Sequence, residues 1–259
     1  MSDLDRQRII TDVLRERPFA SVRDLQEHLG VSAATIRRDI DKLHNIGKAR
    51  KVYGGISLAE GTIVDRLSAR PYDENRDIAV EAKQAIAGKA EGLVHDGDSI
   101  IVHAGSTCYN LGVLLARRNV SIYTNSMPLA AYLGEHGTCH LKLAGGEFYR
   151  EPRLIHDLSN EQIPFFASRF FLGTQGISQD GLLESHPLLL RAIDQLSQCA
   201  DEIVVLADSR KFGIRPRNVV LPLTRVGTIV TDDGISDKDA KMLEDAGVNI
   251  LIAGNGGLN

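Results

Sequence analysis

The sequence predicts a winged helix-turn-helix domain followed by a larger α/β domain, and two patterns carry this prediction. Three short helical patterns occupy the first 45 residues, and a basic stretch with a Gly-Gly pair follows them. From about Asp77 onward, helices alternate with short apolar strands, which is typical of a mostly parallel sheet covered on both faces. The predicted domains are residues 1–58 and 74–259, joined by a linker over 59–73 that mixes charges with glycine and proline.

The first two helices have clear end signals. Apolar residues recurring over 4–14 predict a helix that Pro18 ends. Ser21 and Asp24 have the spacing of a capping box, with Asp in place of the usual Glu, and they open a short second helix. Gly30 stops that helix and leads through a tight turn into the third, which is the layout of a helix-turn-helix.

The third helix has the surface of a recognition helix. Ser32 caps it, and Ile36, Ile40 and Leu43 recur at the spacing of an amphipathic helix. The opposite face is small at its start and basic further along, a shape that enters the major groove of DNA by its N-terminal end. The candidate DNA contacts of this helix are Ser32, Ala34, Thr35, Arg37, Arg38 and Lys42.

Residues 48–58 predict a basic wing of two short strands, in which Arg50 and Lys51 are candidate phosphate contacts. Any three-helix bundle can carry a charged face that is merely solvated. The charge distribution along the chain distinguishes such a face from a DNA-binding surface. The first 58 residues hold 11 Lys and Arg against 8 Asp and Glu, whereas the other 201 carry a net charge of −7. A basic segment on an acidic body favours double-stranded DNA as the partner, because Lys and Arg release counterions from phosphates.

In the second domain, a helix at 78–93 and helices within 186–200 and 236–246 separate several strands. A ligand of such a sheet sits at the carboxyl ends of the strands. The loops there are small or polar, and the one at 104–107 opens a helix whose N-terminus favours an anion. A single glycine turn of this kind also occurs without a ligand, but five small or polar loops at successive strand ends, with Lys211 on the last, favour a phosphate-bearing polyhydroxylated ligand. The strands are predicted at 99–102, 120–124, 141–144, 170–173, 202–207, 227–231 and 248–252.

Val31 to Asp39 match the Val-Ser-x-x-Thr-Ile-Arg-Arg-Asp helix of the DeoR family of bacterial sugar-responsive transcriptional regulators, and Gly54 and Gly55 match its wing. The chain resembles that family along nearly its whole length. The resemblance implies a repressor of a carbohydrate catabolic operon that a phosphorylated sugar releases from operator DNA. It also implies an effector domain with a ribose-5-phosphate isomerase-like fold and a homodimer or homotetramer.

The resemblance also implies an effector site, with phosphate at the Gly105 loop. Two histidines depart from the family pattern. His103 stands where many members have an acid, and His186 stands where the ascorbate-utilisation regulator subgroup, otherwise similar over 181–191, usually has Asp. Each histidine either contacts the ligand or has a structural role. The candidate effector residues are His103, Gly105, Ser106, Thr107, Asn125, Ser126, Gly145, Gly146, Gln175, Gly176, His186 and Lys211.

Other function classes have less support. No apolar run approaches the roughly 18 residues of a membrane span, and no signal-peptide pattern is present, so we expect a cytoplasmic protein. Three scattered cysteines without metal spacing predict neither a metal site nor a cofactor. Cys108, near a helix start, is either reactive or simply packed. An isomerase-like enzyme is the alternative function, but residues 173–176 offer Gln175 and no carboxylate base.

Overall fold

The computed structural model forms two compact units, Met1–Ser68 and Ala69–Asn259. The division falls within 59–73, the predicted linker, which lies outside the described residues. The structure describes residues 3–16, 19–45, 49–52, 55–58, 76–157 and 163–254.

The N-terminal unit has the predicted helix-turn-helix and wing. Ser21 Oγ accepts a hydrogen bond from Asp24 N at 3.1 Å, and the Asp24 carboxylate accepts one from Ser21 N at 3.1 Å, so the capping box is confirmed. Gly30 ends the second helix with a φ of 64°, a left-handed conformation that favours glycine. The elements are α1 (Asp3–Glu16), β1 (Phe19–Ser21), α2 (Val22–Leu29), α3 (Ala33–Asn45), β2 (Ala49–Val52) and β3 (Gly55–Leu58).

The wing is a three-stranded antiparallel sheet in the order β1-β3-β2. The sequence predicts β2 and β3 but not β1, which has only three residues. Gly54, half of the predicted Gly-Gly turn, lies outside the described residues. Ile36, Ile40 and Leu43 of α3 are buried in the unit's core with residues of α1, α2 and the sheet, as their spacing predicted.

The larger unit is built on a seven-stranded parallel sheet in the order β15-β14-β12-β9-β4-β5-β6. All seven predicted strands belong to it, with ends shifted by up to three residues. The apolar runs of the five central strands are largely buried on both faces, which is why they lack the alternation of half-exposed strands, whereas the two edge strands are partly exposed. The strands are β4 (Ser99–Val102), β5 (Ser121–Thr124), β6 (His140–Leu143), β9 (Ala167–Leu172), β12 (Ala200–Leu206), β14 (Thr228–Asp232) and β15 (Asn249–Ala253).

Among the described residues, five helices cover the two faces of this sheet. On one face, α4 (Val80–Glu91), α5 (Ser106–Leu115) and α6 (Met127–His136) bury residues in a core that includes Ile86, Leu111 and Leu129. On the other face, α7 (Pro187–Ser197) and α8 (Asp237–Asp245) bury Ile193 and Leu243 with Phe170 in a second core. The α/β fold class is therefore confirmed.

Short elements that the sequence analysis did not predict lie beside the carboxyl ends of the strands. The hairpin β7 (Glu147–Tyr149) and β8 (Leu154–His156) follows β6. Ile155 N in this hairpin donates a hydrogen bond to Asn125 O at 2.8 Å, which holds the hairpin against the end of β5. A separate antiparallel sheet contains β10 (Gly176–Ser178), β11 (Gly181–Glu184) and β13 (Asn218–Leu221).

Candidate functional site

The outward face of α3 is exposed, as predicted. Arg37, Arg38 and Lys42 are exposed on it, and Ala34 lies exposed near its start. Ser32 Oγ accepts a hydrogen bond from Thr35 N at 3.2 Å, so Ser32 caps the helix while remaining exposed. The small beginning and the basic continuation of this surface suit the width of the major groove.

Asp39, the acid in the Thr-Ile-Arg-Arg-Asp run, does not belong to that surface. Its carboxylate is buried and accepts hydrogen bonds from Arg6 Nε at 2.7 Å and Arg6 Nη2 at 3.3 Å. The ion pair joins α1 to α3 and so fixes how α3 sits on the bundle. This role was not among the predictions from the sequence, although Asp39 falls beside Ile36, Ile40 and Leu43 on the buried stripe.

The wing contributes Lys51, whose Nζ lies 2.6 Å from Asp41 Oδ1 of α3. Both side chains are about half exposed, so the pair ties the wing to α3 at the surface. Arg50 lies on β2, and its side chain lies outside the described part of the structure.

At the carboxyl edge of the sheet, Gly105 lies between β4 and α5 with a φ of 151°. A side chain there would meet no atom within 4 Å, so the backbone conformation, and not packing, requires glycine. Ser106 and Thr107 occupy the first turn of α5, where backbone N–H groups have no partner within the helix. This loop therefore has the geometry of an anion site at a helix N-terminus.

The residue before this loop, Ala104, holds two predicted site residues. Its carbonyl oxygen lies 2.8 Å from His103 Nδ1, and its N–H donates to Asn125 Oδ1 at 2.9 Å. Both side chains are almost fully buried. Burial lowers the pKa of His103 to about 4, so its imidazole is neutral at physiological pH.

Four buried side-chain atoms in the described part of the chain lack a hydrogen-bond partner, and all of them lie near one edge of the sheet. His103 and Asn125 directly follow β4 and β5, Asp208 is two residues beyond β12, and Thr231 is the penultimate residue of β14. The atoms are His103 Nε2, Asn125 Nδ2, Asp208 Oδ2 and Thr231 Oγ1.

Charged side chains gather at the end of β12. Burial raises the pKa of Asp208, but a hydrogen bond from Arg210 at 2.7 Å and the charge of Lys211 outweigh burial and bring it below its usual value. Lys83, on the buried face of α4, belongs to the same electrostatic cluster: burial and then the charge of Lys211 lower its pKa to about 8. Lys83 was not among the predicted site residues, although it falls at helical spacing from the buried Ile86.

The other predicted effector residues have contacts within the fold. Ser126 caps α6 by accepting a hydrogen bond from Leu129 N at 3.4 Å, and His186 caps α7 through Nδ1, 3.3 Å from Leu188 N. Gln175 Oε1 accepts hydrogen bonds from Ser185 N and Oγ at 3.0 and 2.7 Å. The three remaining glycines differ: Gly145 is exposed, whereas a side chain at Gly146 or Gly176 would collide with the backbone of His156 or Ile214.

Sequence comparison connects both parts of the chain to one family. Residues 6–62 match the DeoR-like helix-turn-helix domain, and residues 78–233 match the DeoR C terminal sensor domain. The chain belongs to the DeoR family. It is thus a helix-turn-helix transcriptional regulator with a sensor domain, as the resemblance implied.

Among DeoR-family relatives, the chain is 29% identical over 252 residues to the HTH-type transcriptional regulator UlaR of Salmonella newport (strain SL254), covering 97% of this chain and 99% of that protein. UlaR of Salmonella heidelberg (strain SL476) matches with the same values. These relatives are named transcriptional regulators and not enzymes.

Solved structures give looser matches. Ribose 5-phosphate isomerase A from Methanocaldococcus jannaschii matches with a TM-score of 0.37 and 19% identity over 50% of this chain and 53% of that chain. The eIF2B beta structure from Chaetomium thermophilum matches with a TM-score of 0.40 and 16% identity over 58% of this chain and 48% of that chain. The chain thus spans about half the length of each, and likeness at this level carries no functional argument.

Four further observations concern this DeoR-family chain. In the described ranges, no group of three or more His, Cys, Asp or Glu side chains could hold a metal ion. Within the same ranges, no helix has the length and apolar character needed to cross a membrane. Cys108 is buried, and burial raises the pKa of its thiol to about 12, so it is a packed thiol and not a reactive one. A surface cleft of about 360 Å³ near Leu114 and Tyr132, at the far end of α5, contains none of the predicted effector residues.

Proposed function

We propose that this regulator represses a carbohydrate catabolic operon and that a phosphorylated sugar or sugar derivative releases it from operator DNA. Family membership supports regulation and DNA binding, and the exposed basic face of α3 supports major-groove reading by Arg37 and Arg38. The net charge of +3 on the first 58 residues supports attraction to phosphates. Because operator DNA is cytoplasmic, the proposal places the protein in the cytoplasm.

The observation that carries the effector proposal is the row of partnerless polar atoms at the carboxyl edge. Buried polar groups almost always have a hydrogen-bond partner, and leaving one without costs roughly 1–3 kcal/mol. Four such atoms at the ends of four strands of one sheet are best explained as groups that a polar ligand satisfies. Donors and acceptors are both present, which suits a ligand with several hydroxyl groups.

A phosphate group on that ligand has a supported position beside these atoms. The first turn of α5 offers backbone N–H groups with the hydroxyls of Ser106 and Thr107, and the helix dipole favours negative charge there. Lys211 and Lys83 add positive charge at the end of β12. Lysine side chains and helix N-termini are both common phosphate-binding groups in proteins.

Regulation requires that the effector bind the DNA-free state more tightly than the DNA-bound state. The proposal includes a homodimer or homotetramer, because two recognition helices would then read two half-sites of an operator. Sedimentation of the full chain tests this part, and a monomer at micromolar concentration would contradict it.

The function is tested in three steps on the full chain. Selection of bound duplexes from a random pool gives the operator, a thermal-shift screen over sugar phosphates finds the ligand, and fluorescence anisotropy measures DNA release. We expect at least one sugar phosphate to raise the melting temperature and to release the DNA. The same mixtures, followed by NMR for isomer formation, test the alternative of an isomerase-like enzyme, and turnover of any sugar phosphate would favour that alternative.

A further inference from the structure

The Ala104 peptide groups determine which atoms of His103 and Asn125 are donors. A carbonyl oxygen can only accept, so His103 Nδ1, 2.8 Å from Ala104 O, must carry the proton. In a neutral imidazole the other nitrogen, Nε2, is then a bare acceptor. This nitrogen is one of the buried atoms without a partner.

The surroundings keep that imidazole neutral. His103 is 1% exposed, and the ring of Phe170 packs against it edge-on at 5.9 Å between centroids. Burial disfavours the imidazolium, and the nearby His156 lowers the pKa of His103 further. A charged ligand group is therefore not attracted to His103, and a group without a hydrogen to donate cannot pair with its Nε2.

Asn125 has the opposite polarity. Its Oδ1 accepts the Ala104 N–H at 2.9 Å, so its Nδ2 is the free end of the amide and can only donate. This atom is also buried and without a partner. One backbone residue between β4 and α5 thus orients a bare acceptor and a bare donor on adjacent strands.

We propose that His103 and Asn125 form a hydroxyl-binding subsite, in which Nε2 of His103 accepts a hydrogen bond from a ligand hydroxyl. Nδ2 of Asn125 donates to the oxygen of the same hydroxyl or of its neighbour. A hydroxyl is the common sugar group that donates and accepts at once, whereas a carboxylate or ketone has no hydrogen for Nε2. This inference rests on the proposed function. The unphosphorylated part of the effector, a polyol with a free hydroxyl, would then bind at the ends of β4 and β5.

The neutral acceptor also suits the neighbouring anion position. Only one residue separates His103 from Gly105, where α5 favours an anion. A carboxylate at position 103 would accept the same hydroxyl but would repel a phosphate bound at α5. The uncharged imidazole accepts the hydrogen bond without that repulsion.

The test compares His103→Asn with His140→Asn. Asn at position 103 keeps an amide N–H that can reach Ala104 O but has no counterpart of Nε2, so it removes the ligand acceptor and leaves the internal bond available. His140, exposed at the opposite end of edge strand β6, is the matched control. The probes are ribose 5-phosphate, glucose 6-phosphate, fructose 6-phosphate and inorganic phosphate, titrated by calorimetry, with the histidine ring nitrogens followed by ¹⁵N NMR.

We expect Nε2 of His103 to be unprotonated in the free protein, and its resonance to move when the tightest-binding sugar phosphate is added. His103→Asn should lower the affinity for that sugar phosphate about tenfold, which is the loss expected for one buried hydrogen bond. It should lower the affinity for inorganic phosphate much less. His140→Asn should change neither affinity.

A protonated Nε2, or a bound sugar phosphate that leaves the His103 resonances in place, would overturn the subsite and leave the proposed function standing. Both of these NMR measurements use the wild-type protein, so they test the subsite even if His103→Asn does not fold. If no sugar phosphate of the set binds more tightly than inorganic phosphate, the proposed function fails, and the subsite fails with it.

Discussion

Removing the Asp39 carboxylate should destabilise the DNA-binding unit without touching its DNA-binding surface. Asp39→Ala leaves the Arg6 guanidinium buried without the carboxylate to which it donates at 2.7 and 3.3 Å. Breaking a buried ion pair in this way costs roughly 3–5 kcal/mol. The Arg6 side chain is 11% exposed, which places the expected loss near the lower end of that range.

The matched control is Asp41→Ala, two residues along the same helix. The Asp41–Lys51 pair is as short, at 2.6 Å, but its side chains are 50% and 53% exposed. Exposed pairs contribute roughly 0.2–1 kcal/mol, because water screens them. Both substitutions remove a carboxylate from α3, so the difference between the two losses of stability measures the contribution of burial.

Hydrogen exchange of the α1 and α3 amides in the full chain measures the loss of stability within the DNA-binding unit. A loss of about 3 kcal/mol corresponds to exchange about a hundredfold faster for Asp39→Ala, whereas Asp41→Ala should change it less than about sixfold. Replacing Arg6 by Met together with Asp39 by Leu should restore most of the protection, since no charge is then left buried. Equal, small effects of the two Asp substitutions would refute the reasoning.

Four further predictions concern DNA and effector binding. Arg38→Ala should weaken operator binding by roughly 1–3 kcal/mol if Arg38 contacts a base edge, and an unchanged gel-shift affinity with an intact fold would count against it. Neutralising Arg50 and Lys51 together should weaken binding to all duplexes alike and reduce the salt slope by about one to two; a changed sequence preference would instead indicate base reading. Lys211→Ala should weaken effector binding about ten- to a hundredfold, as measured by calorimetry, and should leave the operator affinity of the effector-free protein near normal. Finally, an anion bound near Lys83 should raise the pKa of Lys83 from about 8. Anion binding at pH 8–9 should then take up a proton and become weaker as the pH rises. Identical binding heats in buffers of different ionisation enthalpy would contradict this proton uptake.

The elements that the sequence predicts well are those whose pattern is local and repeated. The seven sheet strands are short apolar runs between glycine and polar loops, and the α2 cap and the Gly30 turn depend on residues within four positions of each other. Strands β1, β7, β8 and β10 have three residues each, too few for a period to be recognised. Their pairing depends on partners elsewhere in the fold.

The site residues divide in the same way. The Gly105 loop is recognisable because a glycine, two hydroxyls and a helix start lie together in sequence. The polarity of Asn125 is not recognisable, since the orientation of its amide depends on a contact with Ala104, 21 residues away. Asp39 and Lys83 had a usable signal: each is a charged residue at a position where helical spacing predicts burial, and a buried charge requires an opposite charge or a ligand nearby.

The central claim is that occupation of the carboxyl edge controls DNA binding, and one titration tests it most directly. A labelled operator duplex bound to the full chain is titrated with the sugar phosphate that stabilises the protein most, and anisotropy reports release. The account predicts complete release by wild-type protein and release by Lys211→Ala only at about ten- to a hundredfold higher concentration. A sugar phosphate that binds the protein tightly and leaves its operator affinity unchanged would contradict the account.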